Sequence, residues 1–180
     1  LSGKRLELLK EILPRLSRVA ILGNPRNPNF RSVLKETELA ATALGLQLQV
    51  HQVKESNNLP SAFAAMTKAR AEALSVIPDP LLVSGQKRII DLAAKGRLPA
   101  IYGTPLSVEA GGLISYAPSP SDMFKRAATY VDKILNGSKP ADLPIEQPIN
   151  FEFIVNLKAA KQIGLTIPPN VLVRADRVIQ

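Results

Sequence analysis

The chain has no cysteine and no tryptophan, a single histidine, His51, and only eight aromatic residues among 180. Without cysteine it forms neither disulfides nor thiolate metal sites, and its redox compartment is left open. One histidine is too few for a His-rich ligand set, and no metal or cofactor motif is read from the sequence. Aromatic scarcity, with 23 basic residues interleaved among 15 acidic ones, argues against a stacking platform for nucleic acid. The net charge of +8 is read as a solvated basic surface. No apolar run approaches the ~20 residues of a spanning helix. The opening "LSGKRLELLKE" has neither the apolar centre nor the cleavage site of a signal peptide. It also lacks an initiator Met, so the chain is expected to be a piece of a longer or processed product.

What is present is a regular alternation of helical and extended periodicity. Leu6, Leu9 and Leu13 mark a first helix that Pro14 ends. A buried strand over 18–22 leads to a helix carrying Phe30, Val33, Leu34, Ala41 and Leu44, closed by Gly45. An alternating strand over 46–53, a helix from about Pro60, a strand at 73–77, a helix over 86–95 and a strand in "LPAIYG" follow. Four β-α repeats imply parallel strands with right-handed crossovers and helices on both faces. The expected fold is α/β, a three-layer αβα sandwich with a parallel, Rossmann-like sheet. After Gly103 the composition turns to Gly, Pro and Ser, a helical stripe with Met123, Ala127, Val131 and Ile134 runs to Gly137, and "SKPADLPIEQP" forms a connector. "NFEFIVNL" reads as a strand, and the remainder as a short helix, a turn and a tail.

Ligands of open parallel sheets sit beyond the carboxyl ends of the strands. Three loops of this chain fall there. In "GNPRNPN", Asn24, Asn27 and Asn29 have two open readings: they start the next helix, or they offer amide donors to a ligand carboxylate. In "IPDPLLVS", Asp79 is either a turn residue or a rigid carboxylate for an ammonium or hydroxyl. In "IYGT", Tyr102 either meets a ligand or belongs to the core. His51 lies in an alternating strand with no nucleophile or carboxylate in a catalytic order, and no phosphate-binding glycine motif follows a strand; "AGGL" is a turn. No enzymatic site is expected.

The segments "GKRLELLKEILPRLSRVAILGNPRNPN", "IPDPLLVS", "LPAIYG", "VEAGGLISYAPSPSDMFKRAATYVDKILNGSKPADLPIEQP" and "FIVNLKAAKQIGLTIPP" resemble, in order and spacing, the C-terminal portion of ABC transporter substrate-binding proteins. The branch resembled is that of tryptophan- and tyrosine-type receptors, with the type I periplasmic binding protein fold. The resemblance implies two lobes closing on a small organic ligand, an amino acid or related carboxylate, and delivery to permease subunits. It implies residues 1–103 and 144–180 as the second lobe, and 104–143 as hinge crossings with a segment of an incomplete first lobe. It implies an extracytoplasmic, periplasmic location, membrane association only through the permease, no nucleic-acid partner and no cofactor. The Asn24 to Asn29 loop aligns with a loop contacting the ligand carboxylate, Asp79 with a polar cleft position, and Tyr102 to Thr104 with the first hinge crossing. Where amino-acid receptors offer an acid to the ligand ammonium, this chain places Ser119. That departure points to Asp79 as the ammonium partner or to another small organic anion. A homodimer of the chain, joined through the stripe over 121–135, is also expected. The alternative function is the ligand-sensing module of a transcription regulator or signalling protein of the same fold, with an enzyme of response-regulator or hydrolase type third.

Overall fold

The structure, a computed structural model, describes residues 1–180. One seven-stranded sheet runs through the molecule in the order β2-β1-β3-β4-β5-β6-β7. Its strands are β1 (Arg18–Gly23), β2 (Gln47–Gln52), β3 (Ala73–Val76), β4 (Ala100–Tyr102), β5 (Ile114–Pro118), β6 (Phe151–Asn156) and β7 (Arg177–Ile179). All neighbours are parallel except β5 and β6, where Ser115 lies opposite Ile154 in an antiparallel register. The sheet is therefore mostly parallel, and the expected α/β layering is found.

Strand alternation divides the interior. Val19, Ile21, Ile101, Ile114 and Val155 face a cluster closed by α1 (Ser2–Ile12) and α2 (Phe30–Leu44), with support from α8 (Leu157–Ile163) and α9 (Pro169–Leu172). Ala20, Leu22, Leu74, Ala100 and Tyr102 face the opposite cluster, closed by α3 (Leu59–Lys68) and α5 (Gln86–Lys95). β1 is buried from Val19 through Gly23 because helices cover both its faces, and its continuous apolar run reflects this. β2 closes one edge and stays largely half-exposed. Gly45 ends α2 in the left-handed region at φ 67°, and Gly164 ends α8 at φ 74°. Asn156 starts α8 by accepting a hydrogen bond from the Ala159 N–H at 3.0 Å.

Two short helices, α4 (Pro80–Ser84) and α6 (Pro105–Glu109), occupy loops at the ends of β3 and β4. The C-terminal tail is more ordered than its composition indicates: residues 177–179 form β7, added in parallel beside β6. Residues 104–143 divide in the structure. α6 and β5 join the sheet body, where Ile114, Ser115 and Ala117 are buried. α7 (Pro120–Leu135) then leaves the sheet and buries none of its residues. A proline-rich strap follows it, held to α7 by the Tyr130 hydroxyl donating to the Pro144 carbonyl and by an Arg126–Glu146 ion pair. No helix is long and apolar enough to cross a membrane.

Candidate functional site

The carboxyl ends of β1, β3, β4 and β5 open on one rim, and the antiparallel β6 begins there. Residues 24–29 connect β1 to α2 at this rim. The Asn24 and Asn27 side-chain carbonyls accept hydrogen bonds from the Arg26 and Asn29 backbone N–H groups, both at 2.9 Å, making two successive Asx turns. This orients both side-chain amides in a defined direction. Asn24 Nδ2 donates to Asp79 Oδ1 at 3.1 Å, and Asn27 Nδ2 donates to Asp79 Oδ2 at 2.8 Å. Asp79 is 5% exposed and caps α4, where Oδ1 also accepts from the Leu81 N–H at 2.9 Å. Three donors thus compensate a buried carboxylate. Asn24, Asn27 and Asp79 form one clamp joining the ends of β1 and β3. Asn29 stands apart from it, exposed at the N-terminus of α2 in helical geometry and with no side-chain capping bond.

Tyr102 is 2% exposed and belongs to the cluster beneath α5. Burial pushes its phenol well above the ordinary value of 10.0, so it stays neutral. A side chain at Gly112 would approach its Cε2 to 2.7 Å, which shows how closely the ring is enclosed. The space between Asp79, Gln86, Tyr102 and Ser107 amounts to only about 10 Å³, at the lower limit for one water. A wider trough of about 450 Å³ lies between α7 and the strap, and none of Asn24, Asn27, Asn29, Asp79, Tyr102 or Ser119 lines it.

Ser119 sits at the start of α7. Its hydroxyl donates to Glu152 Oε1 at 2.7 Å and its N–H to the Asn150 carbonyl at 3.0 Å. Glu152 lies across the β5–β6 ladder opposite Ala117. A carboxylate, that of Glu152, thus stands beside position 119, brought there by β6 from a distant part of the sequence.

A second residue that sequence reading passed over is Arg5. The buried face of α1 runs through Ser2, Arg5, Leu6, Leu9 and Ile12, so a guanidinium occupies an apolar stripe. Arg5 is 4% exposed, and its Nε donates to the Tyr116 carbonyl at 2.9 Å. It belongs to none of the ion pairs of the chain. Desolvation lowers its pKa to about 10, an effect partly opposed by the Tyr116 phenol, and it remains charged at neutral pH. Its Nη2 lies against Gly103 at the end of β4. The signal was available as one charge at helical spacing within an apolar stripe. His51, by contrast, lies on the edge strand β2, where desolvation holds its pKa below 6.5 and Nε2 has no partner.

A family model described as ABC transporter substrate binding protein matches residues 2–179. A conserved domain protein of Vibrio cholerae, known from its crystal structure, superposes with a TM-score of 0.91 at 27% identity, covering 98% of this chain and 60% of that one. The crystal structure of an ABC domain from Streptococcus pneumonia in complex with L-Trp gives a TM-score of 0.89 at 26% identity, covering 99% of this chain and 62% of that one. An uncharacterized protein of Rickettsia prowazekii is 27% identical over 130 residues, which are 71% of this chain and 43% of that protein. The chain spans less than two thirds of the length of each.

Proposed function

The chain belongs to the family of ABC transporter substrate-binding proteins, and from that premise we propose that it forms one wall of a cleft that captures a small carboxylate-bearing organic ligand, an amino acid or a related acid. The observation that carries the reading is the strand-end rim. It gathers the Asn24–Asn27–Asp79 clamp, the Ser119–Glu152 pair and Arg5 at the strand ends, and none of these residues lines any of the three cavities of about 450 to 470 Å³ elsewhere on the chain. A rim so polar and so open suits a ligand covered from the other side. The part of the chain that stands off the sheet, α7 and the strap, is proposed to belong with a first lobe, while the sheet body is the second. Ligand binding would then favour the closed arrangement of the two lobes, and the closed shape would be the one presented to the permease outside the cytoplasm. No bond is made or broken. The L-Trp bound by the Streptococcus neighbour supports an amino acid as ligand.

Within the rim, Asp79 holds the β1 and β3 loops in register. Glu152, paired with Ser119, is the acid placed to meet a ligand ammonium. Differential scanning fluorimetry against amino acids, aromatic acids, sugars and metal ions tests the reading. A true ligand at about 100 times its dissociation constant stabilises by about 2.7 kcal/mol. Stabilisation by carboxylates is the expected result, and a response confined to sugars or cations overturns it.

A further inference from the structure

We propose that Arg5 is the anion-receiving group of the rim, taking a ligand carboxylate whose apolar body rests on the Tyr116–Phe151 ring stack; the proposal rests on the solute-binding reading above. Of the five N–H donors of its guanidinium, only that on Nε is used, on the Tyr116 carbonyl. Fully buried polar atoms without a partner occur at Gln49, His51 and Ser115, and not at Arg5. The free Nη groups of Arg5 therefore still reach solvent although the residue is 4% exposed. A cation so enclosed and unneutralised has lost most of its hydration without gaining a counter-charge. A planar fork with two adjacent free nitrogens matches a carboxylate in a bidentate pair.

The position fits this use. Nη2 lies 3.1 Å from where a Cβ on Gly103 would stand, so the absence of a side chain at the end of β4 leaves room for the guanidinium. A Cβ there would also meet Pro78 Cγ at 2.1 Å, which ties the same glycine to the Asp79 loop. Tyr116 and Phe151 lie on the Arg5 face of the sheet. Their rings stack with centroids 5.6 Å apart and planes 19° from parallel, and both are half-buried. This provides a flat apolar surface beside a fixed cation. The other donors of the rim are less suited. The Asn24 and Asn27 amides are committed to Asp79, and Arg26 is exposed on its loop.

The test is an NMR titration of the ¹⁵N-labelled chain with 3-phenylpropanoate, with 3-phenylpropanamide as the uncharged control. The expected result is a saturable shift of the Arg5 Nε–Hε signal and of the Gly103, Tyr116 and Phe151 amides with the acid alone. Arg5→Gln should weaken the acid at least about tenfold while Arg5→Lys retains part of the affinity. Saturable binding that maps elsewhere and leaves Arg5 unmoved overturns the proposal but spares the carboxylate reading. Equal binding of acid and amide overturns anion recognition by Arg5. No saturable shift with the acid up to tens of millimolar overturns the proposal for this chain, and the fluorimetry screen then judges the broader reading separately. Loss of stability in Arg5→Gln at unchanged affinity reduces Arg5 to a tether of β5. Should that variant not fold, the titration of the unmodified chain and of Arg5→Lys decides the matter.

Discussion

α5 and α7 are equally amphipathic, and the fold treats them in opposite ways. α5 lays Ile89, Ile90 and Ala93 into the cluster beneath the sheet. α7 carries a comparable stripe but leaves Phe124 77% and Leu135 81% exposed. Ile145 and Ile149 of the strap are exposed beside it. An amphipathic pattern specifies that a helix needs a partner, and it does not specify that the partner is nearby. An apolar face of this kind marks an interaction surface. The sheet body is stabilised from within, whereas α7 buries none of its residues and is held only by the strap beside it.

Substitutions can separate the two regions. The largest effect is expected in the body, where Ile89→Ala should cost about 3 kcal/mol in urea denaturation because its side chain is 1% exposed and leaves a cavity. A cost below about 1 kcal/mol would mean that the body relaxes as freely as the arm. Next comes the clamp. Asp79→Ala removes three hydrogen bonds, one of them the cap of α4, and should cost about 2 kcal/mol. Stability unchanged by that substitution would detach the rim from the body.

A smaller and pH-dependent effect belongs to Glu72, at the far end of β3. Its carboxylate accepts from the Ser17 and Arg18 N–H groups and pairs with Arg18, and these contacts hold its pKa below the usual 4.5. A depressed folded pKa means that the contribution is present above 4.5 and is lost as the pH falls through the folded value. The stability difference between the protein and Glu72→Gln, measured by denaturation, should therefore be present at neutral pH and vanish in strong acid. A difference that grows on acidification would reverse the assignment.

The smallest effect on stability is expected in the arm: Phe124→Ser with Leu135→Ser should alter unfolding by no more than about 0.5 kcal/mol. The same pair should shift self-association. Light scattering behind a sizing column is expected to show dimers of the unmodified chain and monomers of the variant. Monomers of both would leave the arm to another partner.

The helices and strands up to Gly103 were legible because their buried residues recur at the periods of their own backbone, except α4, whose five residues were read as part of the loop around Asp79. β7 was not, since three residues in a tail carry too little periodicity, and its strand character comes from pairing with β6. β5 was concealed by the glycine and proline around it, although Ile114 and Ser115 are completely buried. At the candidate site the positions Asn24, Asn27 and Asp79 were legible as polar residues at strand ends. Their mutual bonding was not, because the partners are separated by 52 to 55 residues. Arg5 was legible as a charge on an apolar stripe, but the usual solvation of arginine makes the surface the default reading.

By itself the sequence determined the layered α/β class, the ends of the principal helices and the loops that carry polar side chains to the strand termini. These follow from local periodicity, capping and turn chemistry, which act over a few residues. Only the tertiary structure decided that the Asn24 and Asn27 amides face Asp79, that Tyr102 is core, that Glu152 stands beside Ser119, and that Arg5 lies unpaired behind Gly103. Each of these depends on the order in which distant strands pair, and the direction of a hydrogen bond between two loops is set by that order.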